Sequence, residues 1–278
     1  MKVLLPSTYQ SLAFLVCMIV VLSSLVAVAT VSTVSADDGW GTLKGQIVVS
    51  GDVPENPVEP IDDHPDKSIC LVDGELPKDD NIVVGEDGGL RDVYVMMYTK
   101  GKGGDAPIHE SYSGDSEAQQ VSIDNVKCRF VPHALFVKTG QSVLLKNSDS
   151  VGHNCHITTF NNEHNVNLPA GGDVTITLDK ADKVPGQVKC DVHKWMDGVV
   201  LVRDNPYVAI TDSEGKFEIK NVPAGDWEFQ FWHNKAGYMK KLDSGDYKFG
   251  RKGEAEVKVA NDGETDMGKL EFPAKSFK

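Results

Sequence analysis

Val188-Lys189-Cys190-Asp191-Val192-His193-Lys194-Trp195-Met196 sets a thiol, an imidazole and a thioether inside one short stretch. Strand-like sequence flanks it, Gln187 to Cys190 before and Val199 to Arg203 after, so the three groups ride on a connection between two strands. A loop that short brings them to one point.

Working outward, the nearest strand end that offers a further imidazole is Asn147-Ser148-Asp149-Ser150-Val151-Gly152-His153-Asn154, which follows the strand Ser142 to Asn147. Soft sulfur donors joined to imidazole select copper, and two His, one Cys and a weak axial Met form the donor set of blue-copper electron-transfer sites. The spacing excludes a binuclear copper centre with two shared thiolates. Such a centre needs a second cysteine four residues before Cys190, and Gly186 stands there. Tetrahedral zinc is the other metal to weigh, but it makes no use of Met.

These residues resemble the cupredoxins. The resemblance runs from Phe130-Val131-Pro132 through Gly140, the strand Ser142 to Asn147 and His153-Asn154 to the ligand loop and its closing strand, roughly Val121 to Arg203. The Cys-x2-His-x2-Met spacing is that of the short amicyanin loop, whereas plastocyanin and pseudoazurin carry two more residues before Met. The resemblance implies a Greek-key β-sandwich holding one copper ion, cycling between Cu+ and Cu2+, on His153, Cys190, His193 and Met196. It also implies that Asn154 tethers the ligand loop, that His193 lies nearest the surface as the electron's doorway, and that Trp195 contributes to an apolar docking patch around it, the alternative being that Trp195 merely packs the loop. Val192 and Lys194 depart from the pattern, since amicyanin-like loops carry Pro on either side of the second His.

The rest of the chain reads as all-β. Short β-rich runs alternate with Gly, Pro, Asn and Asp, and no segment of helix length keeps a 3.6-residue apolar period. Expected strands include Thr42 to Val49, Asn81 to Val84, Arg91 to Tyr98, Ala134 to Val137, Asn154 to Thr159, Val174 to Leu178 and five more between Tyr207 and Phe272, counting Lys216 to Lys220 and Trp227 to Trp232. Residues 51–80, with five Pro, and residues 100–118, rich in Gly, Ser and Asp, read as exposed excursions. The run Ile210 to Ile219 followed by Val222-Pro223-Ala224-Gly225 resembles the small transthyretin-like sandwich of carboxypeptidase regulatory domains, and Leu43 to Val49 offers a strand of the same kind. The resulting division is 1–36 as a targeting segment, 37–120 as a β-rich segment with exposed loops, 121–203 as the cupredoxin domain and 204–278 as the carboxypeptidase regulatory-like portion, with the copper module set between parts of a second sandwich.

Lys2, an uncharged run from Leu12 to Val34 and the small residues Val34-Ser35-Ala36 make a secretory signal, with Ala27-Val28-Ala29 as an earlier cut. The run is also long enough to serve as an uncleaved membrane anchor. Either reading places the remainder outside the cytoplasm, in the periplasm or cell envelope. The chain carries 28 Lys+Arg against 41 Asp+Glu, a formal charge of −13, so nucleic acid is not an expected partner. The expected partners are a redox donor and acceptor, such as a basic c-type cytochrome or a periplasmic dehydrogenase.

Cys17 lies within the apolar run, which leaves Cys70, Cys128 and Cys155 besides Cys190. Cys155, two residues after His153, shares its side of a strand and is expected as a buried free thiol; Cys70 and Cys128 would then pair. His133, His156 and His164 are assigned loop and surface roles, with His156 pointing away from the face of His153. His64, His109 and His233 carry no reading. No Ser/His/Asp order, phosphate loop or paired carboxylates stand out, so the expected protein is an electron carrier and not an enzyme. A copper-binding or delivery protein that never cycles, and an envelope binding module with an accessory copper site, are the alternatives.

Overall fold

The computed structural model describes residues 39–99, 104, 106–113 and 120–277. Residues 1–36, expected as a targeting segment, lie outside the described residues. Among those described, no helix is long and apolar enough to cross a membrane.

In chain order, β1 (Trp40–Ser50) is followed by an irregular excursion with one helical turn, α1 (Lys67–Cys70), and then by β2 (Tyr94–Met97). The nine strands that follow are β3 (Val121–Asn125), β4 (Phe130–Val131), β5 (Ala134–Lys138), β6 (Ser142–Asn147), β7 (His153–Thr158), β8 (Glu163–Leu168), β9 (Asp173–Thr177), β10 (Gly186–Lys189) and β11 (Asp197–Arg203). The last six are β12 (Val208–Ile210), β13 (Lys216–Pro223), β14 (Gly225–His233), β15 (Gly237–Tyr238), β16 (Glu254–Val259) and β17 (Glu264–Pro273). The protein is all-β.

Four sheets form two sandwiches. The central one packs a sheet of order β4-β3-β6-β9 against a sheet of order β5-β11-β10-β7-β8. Its core holds Ile123, Phe130, Val137, Val143, Leu145, Ile157, Val188, Val200 and Val202. The second packs β13-β1-β17 against β12-β2-β14-β15, with β16 on the far side of β14. Leu43, Ile47, Phe217, Trp227, Phe229, Phe231 and Phe272 fill it. The second sandwich therefore takes β1 and β2 from one side of the central module in sequence and β12 to β17 from the other, so residues 37–120 do not form a unit of their own.

Alternation along two strands explains how the sandwiches join. In β2, Val95 and Met97 point into the second core, while Tyr94 and Met96 point the other way. In β11, Val200 and Val202 enter the central core, while Val199 and Leu201 meet Tyr94 and Met96 with Ala134. Both strands are buried on two faces, which is why they read as unbroken apolar runs. Polar anchors fix this seam. The Tyr94 hydroxyl lies 3.0 Å from the carbonyls of both Leu135 and Val199, and Arg203 donates to the Met97 carbonyl at 3.0 Å.

Three expectations differ. Asn81 to Val84 forms no strand beyond a bridge of Val84 to Leu90, because this segment is held by side-chain bonds instead. β3, β4, β8 and β15 are strands beyond those expected; β8 runs along a sheet edge, with Val166 and Leu168 turned to the core and polar residues between them. Residues 51–80 are also more than an exposed excursion. Ile61 and Cys70 are fully buried in the central core, and the segment lies across one end of it.

Candidate metal centre

His153 opens β7 and Cys190 follows β10, neighbouring antiparallel strands, so sheet register brings the two residues to the same end of the sandwich. The Cys190 thiol is free and buried, and it faces Nδ1 of His153 at 4.0 Å and Nδ1 of His193 at 3.8 Å. Each imidazole is held at its other nitrogen by a carboxylate. His153 Nε2 is 2.9 Å from Asp149 Oδ2, and His193 Nε2 is 3.1 Å from Asp66 Oδ2. A carboxylate only accepts, so Nε2 of each ring carries a proton toward it, and Nδ1 is the atom left facing the sulfur, where a metal ion would take the place of any proton.

The ligand loop closes on itself. Cys190 N donates to the Met196 carbonyl at 3.2 Å, Met196 N to the His193 carbonyl at 2.9 Å, and His193 N to the Cys190 sulfur at 3.3 Å. Met196 is buried in the same core cluster as Cys190. Asn154 links the loop to β7. Its Oδ1 accepts from Asp191 N at 2.6 Å and lies 3.4 Å from the Cys190 sulfur, while its Nδ2 donates to Asn165 and Asp191.

The charges follow from these contacts. Burial works against ionisation of Cys190, yet hydrogen bonding to His153 and His193 overcomes it and lowers the thiol to about 5. Burial likewise opposes the charge on His153, and the Asp149 and Cys190 partners raise it to about 9. Asp149 is held below the usual carboxylate range: burial is outweighed by His153 and by the backbone N–H groups of Cys128 and Lys127. The pocket is thus organised around a thiolate. Cys155, also free and buried, goes the other way, pushed up to about 12 by burial and then by the neighbouring Cys190 charge.

The donor set fits a soft metal ion. Sγ of Cys190 and one nitrogen from each of His153 and His193 lie within 4.8 Å of one another, all three residues buried. Two imidazoles and a thiolate with a thioether in the same loop match copper better than zinc, for which the Met would be idle.

Three expectations are corrected. His193 does not lie at the surface; it is 0% exposed. Asp66 bonds its outer nitrogen, and His64 and Trp195 flank its ring at centroid distances of 4.8 and 5.1 Å. The cause is the excursion, which a Cys70–Cys128 disulfide ties down beside the ligand loop. Trp195 is accordingly half-buried under this strap, 5.0 Å from His64, and packs against the core instead of forming an open patch. His133 is not a surface residue either; it is buried against Asp92. His156 does turn outward, toward Asp191.

Asp66, Asp149 and His64 escaped sequence reading. Asp149 precedes His153 by four residues in a polar turn, a spacing that carries a usable signal. Asp66 and His64 lie in a Pro-rich stretch with no periodicity to place them.

No protein-family model and no curated protein matches the chain. Several solved structures are similar to parts of it. They include a Cu-containing nitrite reductase from Thermus scotoductus SA-01 (21% identity over 30% of this chain and 22% of that one, TM-score 0.28). A purple cupredoxin from Nitrosopumilus maritimus shows 21% identity over 30% of this chain and 98% of its own, TM-score 0.26. A Cu(I) form of an amicyanin variant shows 21% identity over 32% of this chain and 86% of its own, TM-score 0.27. The chain spans about a fifth of the nitrite reductase's length.

Proposed function

We propose that the protein is an exported carrier of single electrons, with one copper ion held by His153, Cys190 and His193 and with Met196 as the weak axial donor. The observation that carries this reading is the pair of imidazole Nδ1 atoms aimed at one buried, free thiol, each ring oriented by its own carboxylate. When bound, copper supplies the one-electron couple between Cu+ and Cu2+.

The protein's share is to keep the donors still. Asp149 and Asp66 fix both rings, Asn154 anchors the loop to β7, and the His193 N–H reaches the sulfur whose electron density sets the potential. The strap of residues 51–80 and its disulfide cover the His193 edge and exclude water from that side. Burial and fixed donors suit a carrier that retains its metal through many cycles better than a delivery protein, which needs exposed, easily exchanged ligands. The acidic chain suits a basic partner such as a c-type cytochrome.

The test is a visible and electron spin resonance spectrum of the purified chain loaded with Cu(II), beside a Cys190→Ser variant. An intense band that bleaches on mild reduction, returns on oxidation and is missing from the variant supports the reading. Absence of that band in the wild-type chain overturns it.

A further inference from the structure

A second polar cluster lies where three parts of the chain meet. Asp80 comes from the excursion, Asp92 from the approach to β2, and His133 and Asp197 from the turn before β5 and the start of β11. His133 is 7% exposed. Its Nδ1 lies 2.9 Å from Asp92 Oδ2, so Nδ1–H donates there and the ring is locked. Its Nε2 is buried, makes no hydrogen bond and faces Asp197 Oδ1 at 4.0 Å. A carboxylate oxygen of Asp80 completes a trio of donor atoms that lie within 4.8 Å of one another.

We propose that His133 Nε2, Asp80 and Asp197 form a second metal site, separate from the thiolate centre, that takes a divalent first-row cation such as zinc. One imidazole with two carboxylates is a borderline-to-hard donor set with no sulfur, suited to Zn2+ and not to Cu+. Bonds of about 2.0–2.2 Å at tetrahedral angles put two donors that share a zinc ion about 3.3–3.6 Å apart, so the His133–Asp197 pair has about 0.5 Å to close and Asp80 at most about 1.5 Å. The Asp92 carboxylate behind the ring is the arrangement that sets tautomer and orientation in metal-binding histidines. Asn81 Nδ2 steadies Asp197 by donating to its other oxygen at 2.9 Å.

The charge balance agrees. Arg129 is 3.7 Å from Asp80, Arg91 2.9 Å from Asp92 and Lys235 3.8 Å from Asp79, while the only nitrogens paired with Asp197 among the described residues are those of Asn81 and His133. Glu59 lines the same small cavity as Asp80, Met196 and Asp197, and burial together with Asp79, Asp197 and Asp80 raises its carboxyl to about 7. Lys78 and Arg129 also line that space, so three carboxylates there face two cations. A divalent ion there would pin the excursion to the central sandwich one residue beyond Met196.

The site shares no residue with the thiolate centre, so it is tested in a Cys190→Ser chain, where the soft site is disabled. Equilibrium dialysis of the metal-free chain against zinc chloride, with metal counted by mass spectrometry and located by anomalous diffraction, should give one zinc per chain between His133 and Asp197. Asp92→Asn should weaken zinc binding about 10–100-fold, and His133→Gln should weaken it more. Asp197→Asn, nearly the same shape, should lose zinc while keeping the metal-free melting curve, which separates ligation from folding. No zinc above the buffer level, or zinc that persists in Asp197→Asn and His133→Gln, would overturn the proposal.

Discussion

Asp66 Oδ2 stands 3.1 Å from His193 Nε2, although 127 residues separate the two in the chain. One contact thus does what an exposed imidazole edge would leave to water: it fixes the ring and covers it. Removing it in Asp66→Ala should free the ring on its outer side while leaving Nδ1, Cys190 and His153 in place. Loss of an oriented carboxylate behind a ligating His typically weakens metal binding about 10–100-fold. The expected outcome is transfer of copper to a competing chelator that is faster or more complete by that order, followed by decay of the visible band. Transfer identical to the wild type would show that the strap does not guard the site.

The same strap depends on the Cys70–Cys128 disulfide, which spans 58 residues. Cross-linking a loop of that length restricts the unfolded chain by about 4 kcal/mol in the chain-entropy picture. A Cys70→Ser, Cys128→Ser double variant should therefore lose up to about 4 kcal/mol in urea unfolding. Limited proteolysis should cut it first within residues 51–80. If the variant is cut elsewhere first, the strap holds by its side-chain packing, through Ile61 in particular, and not by the bridge.

Legibility in the sequence followed the range of the interactions. The β class came from alternation and turn residues, which act between near neighbours, and the structure agrees. His193 and Met196 follow Cys190 within six residues, and His153 lies at the end of an adjoining strand, so spacing alone brings this set together. What covers the set was illegible. Asp66 reaches His193 from an irregular segment whose path is set by a disulfide and by buried Ile61, and neither leaves a period to read. His133 was misread for a related reason. Its partners Asp80, Asp92 and Asp197 are distant in sequence, and a lone His near a turn gives no sign that three carboxylates will converge on it. The second sandwich was half legible: β13, β14 and the tight turn between them announced themselves, but β2 serves both sandwiches at once and reads only as an apolar run.

Cys190 and Cys155 offer an internal comparison. Both thiols are free and buried, but one is lowered to about 5 by hydrogen bonding to the two imidazoles and the other is raised to about 12 by burial. In metal-free protein the ultraviolet absorbance of thiolate should rise once, on passing upward through about pH 5, by the amount due to one sulfur. Cys190→Ser should abolish that step, whereas Cys155→Ala should leave it unchanged. A step that follows Cys155 would reverse the assignment of the reactive thiol.

Away from the metal centre, His233 is buried at 0% exposure in the second sandwich, with an Nε2 that makes no hydrogen bond. Burial lowers its pKa from 6.5 to about 4; attraction by Asp92 opposes the shift, and repulsion by His133, Lys235 and Arg91 adds to it. Between pH 6.5 and 4 the unfolded chain takes up a proton at this ring that the folded chain refuses. The stability it contributes is complete above about pH 6.5, falls as the pH drops toward 4 and does not change further below that. A shift of this size corresponds to about 3 kcal/mol across the window. Asp149 and other lowered carboxylates also weaken the fold in acid, so the quantity to measure is a difference. Urea unfolding of the wild type and of His233→Phe, whose ring takes no proton, should give stability curves that run parallel above pH 7. Below that they should converge or cross as the wild type loses about 3 kcal/mol more than the variant by pH 4. Curves that stay parallel throughout would mean that His233 accepts its proton in the folded chain, with a local opening of β14 to admit water.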